Sequence, residues 1–503
     1  MSLSYRINAN TKVESIDLTH REGMDIYRRS AQTLLYAAFK ECAPHGVIKV
    51  GQSVSNAYFF ETEGVEATQR FIEKLDTVMR RLVQENHYVH FERLNIEDAI
   101  ERLRESGVPD QALLISQLHR SEVSLARLSN YLCYVHGPMM SRTGLIQEFH
   151  VRSYEHGLVL MFPNDRGYLK EQVPPQPKLF SAYIESKRWN ALLETRNIAE
   201  LNQHCMTGNI SELIKVSEAL HEKKVAAIAD QIVARKDARL ILIAGPSSSG
   251  KTTFCKRLSI QLKVHGIQPV AISMDEYFKN HELTPRNADG TYNFDCIEAL
   301  DTELINHHLQ MLMRGEEIHI PTYSFHLGKR TEKTHSLQLK PCQILIMEGI
   351  HGMNELVSSS VARDHKFKIY VSALTQLCID FHNRIFTSDS RLIRRMIRDR
   401  LYRGSNAAKT LAGWESVRKG ESQYIFPFQE NADAIFNSAL IYEPAVLKPY
   451  AERFLREVPY DHPAFNEANR LVKFFSFFIP IMPEEVPPTS IIREFIGGST
   501  FNY

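Results

Sequence analysis

Apolar positions along this chain change their period several times, and each change marks a different kind of element. Between Ile26 and Phe60 the segment SAQTLLYAAFKEC is apolar at helical spacing, meets Pro44 and Gly46, and gives way to the β-branched and aromatic run VIKVGQSVSNAYFFE. Helical spacing lets one face of a helix be buried and alternation lets one face of a strand be buried, so a helix packed on a sheet is predicted here. Charged helical segments follow at 66–85 and 96–118, and a further strand-like block runs from Gly144 to Met161. An α+β domain is therefore expected over 1–165.

Residues 167–178 carry Pro174, Pro175 and Pro177, which favour extended backbone and predict a linker. Helical spacing resumes from Phe180 and includes HEKKVAAIADQIVARK, so 166–236 reads as linker and helical connector. From 237 to 455 short apolar runs (LILIAG, PVAISM, ILIMEG, FKIYVS) alternate with helical segments, the pattern of an α/β domain with a parallel sheet. The stretch 456–503, with its short apolar piece Phe474–Met482 broken by Pro480, reads as a packing appendage without a catalytic signature. The expected protein is multidomain, α+β followed by α/β.

Composition narrows the classes. At 503 residues with 43% hydrophobic content the chain can fill more than one core. Lys+Arg 60 against Asp+Glu 59 argues against a nucleic-acid-coating protein, while a local basic pocket stays open. No stretch reaches the roughly 18 apolar residues of a membrane span, and the amino-terminal residues lack the apolar run of a signal peptide. Seven scattered cysteines fit a reducing compartment, so a cytoplasmic location is expected.

The strongest chemical signal is Gly245-Pro246-Ser247-Ser248-Ser249-Gly250-Lys251-Thr252, a match to G-x-x-x-x-G-K-[ST] placed after the apolar strand Leu240–Ala244 and before the helical TFCKRLSIQL. Glycines let backbone N–H groups converge on phosphate oxygens, the helix that follows presents its positive end, Lys251 adds a point charge and Thr252 a hydroxyl for Mg²⁺. ATP is the expected ligand, held by Gly245 to Thr252 and by Thr253. Ile344-Leu-Ile-Met-Glu348 is a buried-strand pattern ending in a carboxylate, which makes Glu348 the candidate partner of Mg²⁺ alongside Thr252; its plainer reading is a strand-end residue in solvent. Asp275 follows the apolar strand Val270–Met274, and a parallel neighbour of the P-loop strand would bring it to the same sheet edge, where it could accept a hydroxyl proton. Its plainer reading is a helix cap. Arg391, Arg394, Arg395 and Arg398 fall at helical spacing and could close as a lid over triphosphate charge; Arg394 and Arg398 are the catalytic candidates, with Arg403 a further substrate contact.

Over about Arg239–Leu440 these residues resemble the uridine kinase and phosphoribulokinase family. The blocks GPSSSGKTTF, SMDEYF, YNFD, IPTYSF, MEGIHG, RLIRRMIRDRLYRG and NADAIFN occur in that family's order. The resemblance implies an ATP-dependent kinase acting on a small hydroxyl acceptor, above all a nucleoside. It further implies that Asp275 is the catalytic base, that Asp295 binds ribose hydroxyls, and that Tyr323 and Phe325 line the nucleoside pocket. One departure stands out: Ser324 replaces the aspartate of PTYDF, and Gly328 occupies the place of the histidine that reads the pyrimidine edge. Base selectivity is left open, with a purine nucleoside, or a sugar phosphate or polyol, as alternative acceptors.

Residues 27–162 resemble a degenerate second additional domain of threonyl- and alanyl-tRNA synthetases, through YRRSAQTLLYAA and VHGPMMSRTGLIQEF. Arg29, Thr33, Val135 and Met139 take the positions of the zinc ligands, so no zinc is expected. The fusion is similar to a bacterial group of nucleoside kinases whose longer members begin with a ubiquitin-like domain, of which Ser2–Asp17 would be a remnant. A nucleotide-sensing tRNA-binding protein is the reading from another class, and homo-oligomerisation is left open.

Overall fold

The β-branched runs near the start pair as expected for residues that pack well on a pleated surface. In the computed structural model, which describes residues 15–164, 167–287, 290–324 and 327–503, helix α1 (Arg21–Cys42) leads into the antiparallel hairpin of β1 (Val47–Val54) and β2 (Ala57–Glu63). Helix α2 (Gln69–Glu85), capped by the Thr68 hydroxyl, follows. Then come β3 (His90–Asn95), α3 (Ile96–Glu105), α4 (Pro109–Ser116), β4 (Glu122–Leu128), β5 (Tyr131–Tyr134), β6 (His150–Tyr154) and β7 (Gly157–Met161). They form a four-stranded sheet in the order β1-β2-β7-β6 and a three-stranded sheet β3-β4-β5. Ala31, Leu34, Leu35 and Ala38, one stripe of α1, are buried to 1% exposure or less, with Phe59 and Phe60 of β2 equally covered. These elements belong to the first of two units, Met1–Gln176 with Thr195–Gln203 and Gln376–Ile385.

The second unit comprises Pro177–Glu194, His204–Thr375 and Phe386–Tyr503. It opens with α5 (Pro177–Leu192); α6 (Ile198–Thr207) starts on the first unit's segment, and α7 (Ile210–Ala234) leads to β8 (Leu240–Ala244). Pro177 stands at the first position of α5, where its missing N–H costs no helical bond. Next are α8 (Lys251–Val264), β9 (Gln268–Ser273), α9 (Thr302–Met313), the antiparallel pair β10 (Ile318–Ser324) and β11 (Lys329–Leu337), β12 (Gln343–Glu348) and β13 (Lys366–Ser372). After the short hairpin β14 (Cys378–Asp380) and β15 (Asn383–Arg384) come α10 (Thr387–Tyr402), α11 (Ala407–Tyr424), β16 (Ala434–Asn437), α12 (Glu443–Arg456), α13 (Phe465–Phe475) and α14 (Arg493–Ile496).

The predicted parallel sheet is present, in the order β16-β13-β8-β12-β9 with every pairing parallel. Successive side chains of a strand face opposite sides, and both sides are covered. Ile241, Ile243, Ile344 and Ile346 pack with Val225, Phe254 and Leu258 of α7 and α8 on one face. Leu240, Leu242, Leu345 and Met347 pack with Ile305, Leu309 and Leu312 of α9 on the other. Ile491 and Phe495 also belong to the first of these clusters, so the late segment is built into the core.

Two arrangements differ from the expectation. Asp275 follows a strand that is not the direct neighbour of the P-loop strand: β12 is inserted between β8 and β9 and pairs with both. The short hairpin lies within the stretch expected to run unbroken through the α/β domain, yet its polar groups find their partners in the first unit. Val50 N–H donates to Phe381 O at 2.8 Å, Phe381 N–H donates to Asp110 Oδ2 at 2.6 Å, and the buried Asp380 accepts from Gln111 Nε2 at 3.3 Å.

Candidate functional site

Strand β8 ends at Ala244, and the turn that follows needs its glycines for steric reasons. A Cβ on Gly245 would lie 1.9 Å from the Val371 carbonyl oxygen of β13, and Gly250 takes a φ of 83° just ahead of α8. Ser248, at φ 57°, completes the tight curl. The first N–H groups of α8 are thereby left to face an anion. Lys251 Nζ folds over the turn and donates to Gly245 O at 2.9 Å and Pro246 O at 3.0 Å.

Beside the turn, Thr252 Oγ1 donates to Glu348 Oε1 at 3.1 Å. Glu348 is the last residue of β12 and lies in register with Ile243 of β8 and Ser273 of β9. A hydroxyl and a carboxylate are hard oxygen donors suited to Mg²⁺, which takes one or two protein ligands and completes its shell from phosphates and water. Among the described residues no cluster of three or more His, Cys, Asp or Glu is placed to hold a metal ion.

Asp275 sits in the short turn after β9, its N–H donated to Ser273 Oγ at 3.2 Å. Asp275 is exposed, yet desolvation by its surroundings raises its pKa, against the opposing pull of Lys251, Arg403 and Arg398. Desolvation likewise raises Glu348, with Lys251 opposing, and lowers Lys251, with Glu348 and Asp275 opposing. The lysine and the two carboxylates thus share one electrostatic neighbourhood at the carboxyl edge of the sheet.

Four arginines of α10, Arg391, Arg394, Arg395 and Arg398, reach the serine-rich turn, in two roles. Arg391 donates to Ser247 O at 3.3 Å and Arg394 to Ser248 O at 3.4 Å. Arg395 donates to Ser247 Oγ at 3.1 Å and Arg398 to Ser248 Oγ at 3.2 Å. Arg391 is also locked to Glu421 of α11, which accepts the Ser247 N–H at 3.0 Å. Arg394, expected over the triphosphate, is fully buried with both edges engaged, by Glu443 (2.6 Å from Nη2) and by Ser438. The reason is local: Glu443 opens α12 directly behind the turn, and a buried guanidinium requires a partner. Arg395 and Arg398 keep 30% and 17% of their side chains exposed and pair with Asp399 and Glu494. Nothing in the sequence singles out Glu421, Glu443 or Glu494, because acidic residues 30 to 96 positions from their arginines carry no local signal.

Asp295 packs against Gly420 of α11, where a Cβ would come within 2.6 Å of its carboxylate. Desolvation and the Glu421 charge push its pKa up to about 6 against Arg395. Tyr323 is buried at 7% exposure, 5.6 Å from the Phe278 ring, so its ring packs in the core rather than lining an open surface. Phe325 lies outside the described residues. Arg403 is exposed, pairs with Asp399 at 3.5 Å and adds its charge to the surroundings of Asp275. The space left by Gly328 is not empty: a Cβ there would lie 2.1 Å from the His281 ring, which stacks on Tyr292 at 4.4 Å. An imidazole thus reaches this region from another part of the chain, which the IPTYSF block alone does not reveal.

A parallel sheet with a phosphate-binding turn, a threonine and glutamate pair and a second carboxylate at one edge defines a P-loop phosphotransferase. Residues 240–440 match the phosphoribulokinase / uridine kinase family model. A uridine kinase from Bacillus pumilus is 32% identical over 198 residues, which cover 39% of this chain and 84% of that protein. Uridine-cytidine kinase B of Dictyostelium discoideum is 30% identical over 39% of this chain and 73% of its own length. Among solved structures, a possible uridine kinase from Bacillus stearothermophilus aligns at 16% identity with a TM-score of 0.29, covering 42% of this chain and 97% of that one; the family assignment rests on the sequence matches. The chain belongs to the phosphoribulokinase and uridine kinase family and is an ATP-dependent kinase.

Proposed function

We propose that this kinase transfers the γ-phosphoryl group of ATP to a hydroxyl of a nucleoside, with Asp275 as the base. The observation that carries the reading is the shared neighbourhood of Lys251, Glu348 and Asp275 at the mouth of the Gly245–Gly250 turn. Backbone N–H groups of the turn and Lys251 hold the triphosphate, and Thr252 with Glu348 would hold Mg²⁺, which supplies charge neutralisation when bound. Asp275 orients the acceptor hydroxyl and takes its proton as the oxygen attacks. Arg398 meets the charge that spreads over the transferring group, while Arg394 acts through the turn it braces.

Asp295, seated against α11, is assigned to the paired hydroxyls of the acceptor sugar, and Arg403 to the acceptor side of Asp275. Support for a nucleoside comes from the kinases matched above, and from His281, Tyr292 and Phe294 as aromatic surface for a base. We further read the first unit as a zinc-free relative of the synthetase additional domain. Arg29 and Thr33 of α1, which take two of the zinc-ligand positions in that resemblance, donate to Pro138 O at 2.6 Å and Arg29 O at 3.0 Å. Seven free cysteines support a reducing, cytoplasmic setting.

The test is an acceptor panel with purified protein, ATP and Mg²⁺, following ADP release over pyrimidine and purine nucleosides, sugar phosphates and polyols. Turnover of at least one nucleoside with kcat/KM well above that of any other class is expected. Phosphorylation confined to a sugar phosphate or polyol refutes the nucleoside assignment, and tRNA-selective binding with no phosphorylated acceptor refutes the enzymatic reading of the acceptor side.

A further inference from the structure

The late segment of the chain, which carries no recognisable motif, delivers a carboxylate to the back of the phosphate turn. Glu494 of α14 is 7% exposed, and both of its oxygens are engaged by P-loop machinery. Its Oε2 accepts the Thr253 hydroxyl at 2.7 Å and lies 3.4 Å from the Thr253 N–H, within the first turn of α8. Its Oε1 accepts from Arg398 Nη1 at 3.1 Å. The other end of the same guanidinium donates to Ser248 Oγ at 3.2 Å, so Arg398 is held between Glu494 and the turn. Phe495 lies 5.9 Å from the Arg398 guanidinium, and the Tyr503 hydroxyl is 2.9 Å from Thr253 Oγ1.

We propose that Glu494 is a positioning residue for phosphoryl transfer, aiming Arg398 at the phosphate turn and fixing Thr253 in the first turn of α8. The proposal rests on the reading that Arg398 meets phosphate charge. An arginine side chain has many rotamers of similar energy, and a charge-assisted hydrogen bond at one edge selects among them before substrate arrives. A removable plug imitating a phosphate would need to leave the site. Its neighbours Ile491 and Phe495 are fully buried in the core under the sheet, and Ile491 approaches to 2.8 Å of where a Gly250 Cβ would be. The segment is therefore built in, and its carboxylate acts by orientation.

A double-mutant cycle tests this, with kcat and both KM values measured on the full chain with Mg²⁺-ATP and the best acceptor of the panel. Glu494→Gln is expected to lower kcat about tenfold with acceptor KM unchanged, and Glu494→Asp, which keeps the charge, to recover most of it. Arg398→Ala is expected to lower kcat by about 10²-fold, and adding Glu494→Gln to it should change kcat less than about twofold. Multiplying effects with a defective Arg398→Ala overturn the positioning role alone, as does a rise in kcat/KM for ATP on Glu494→Gln, the mark of a competing carboxylate. A fully active Arg398→Ala overturns the reading of that arginine and the proposal with it. If Glu494→Gln does not fold, Glu494→Ser takes its place in the cycle: a loss of kcat that vanishes in the Arg398→Ala background upholds the proposal, and full activity or a loss that persists there overturns it.

Discussion

With Asp275 as the proposed base, its replacement by Asn separates proton acceptance from nucleotide binding. Asn keeps the shape of the side chain and its bond geometry after Ser273, while the negative charge and the basic oxygen are lost. General-base catalysis contributes about 10²–10⁴ in rate, or about 3–5 kcal/mol of transition-state stabilisation, and kcat should fall within that range. ATP affinity should hold or tighten slightly, because Asp275 lies in the field of Lys251 and a carboxylate near that lysine opposes the incoming triphosphate. The pH profile supplies a second reading. Desolvation raises the Asp275 pKa, so the wild-type rate should fall off on the acid side at a pH above the ordinary carboxylate range, as the base becomes protonated. That acid limb should be missing from the Asn variant. The measurements are ADP release against pH and calorimetric ATP binding without acceptor. Parallel loss of ATP binding, or a variant that turns over at the wild-type rate, refutes the argument.

Arg394→Ala should act on stability first: it leaves Glu443 buried without its partner, at a cost of about 3–5 kcal/mol, read as a fall in the denaturation midpoint. An unchanged midpoint with lost turnover would instead return Arg394 to the triphosphate. Asp295→Asn should raise stability and weaken acceptor binding together. A carboxyl whose folded pKa is about 6, above its ordinary 3.8, destabilises the fold once ionised, so the penalty is absent below about pH 4, grows through pH 6 and is complete above it. After allowance for solvent screening the variant should gain about 1–2 kcal/mol at pH 8 and nothing at pH 4, with acceptor KM raised and ATP KM unaffected. Denaturant titrations at the two pH values check the first part, and steady-state kinetics the second.

Elements with a strong local pattern are legible in the amino-acid sequence. The Gly245–Thr252 motif, the buried strand ending in Glu348 and the apolar strand ahead of Asp275 each announce themselves within ten residues, because backbone sterics and burial on both faces of a sheet dictate the residue types. Strand order is less legible. Placing β12 between β8 and β9 depends on packing across the whole sheet, and short apolar runs of similar composition do not say which lies next to which. Gly328 reads as a lost histidine, whereas the fold brings the ring of His281 into that space.

Charge is where local reasoning reaches least far. Helical spacing correctly gathers Arg391, Arg394, Arg395 and Arg398 on one face, since that depends only on 3.6 residues per turn. Which of them is free depends on carboxylates far along the chain, at Glu421, Glu443 and Glu494. The phosphate turn, the alternation of strand and helix around it and the family resemblance can be read from the amino-acid order alone, because they rest on backbone constraints that act over a few residues. Packing, by contrast, set which arginines are fully buried against carboxylates and which stay partly exposed, that β14 and β15 join the first unit, and that the late segment touches the P-loop helix. Burial of a charge is paid for by partners that folding, not proximity in sequence, brings together.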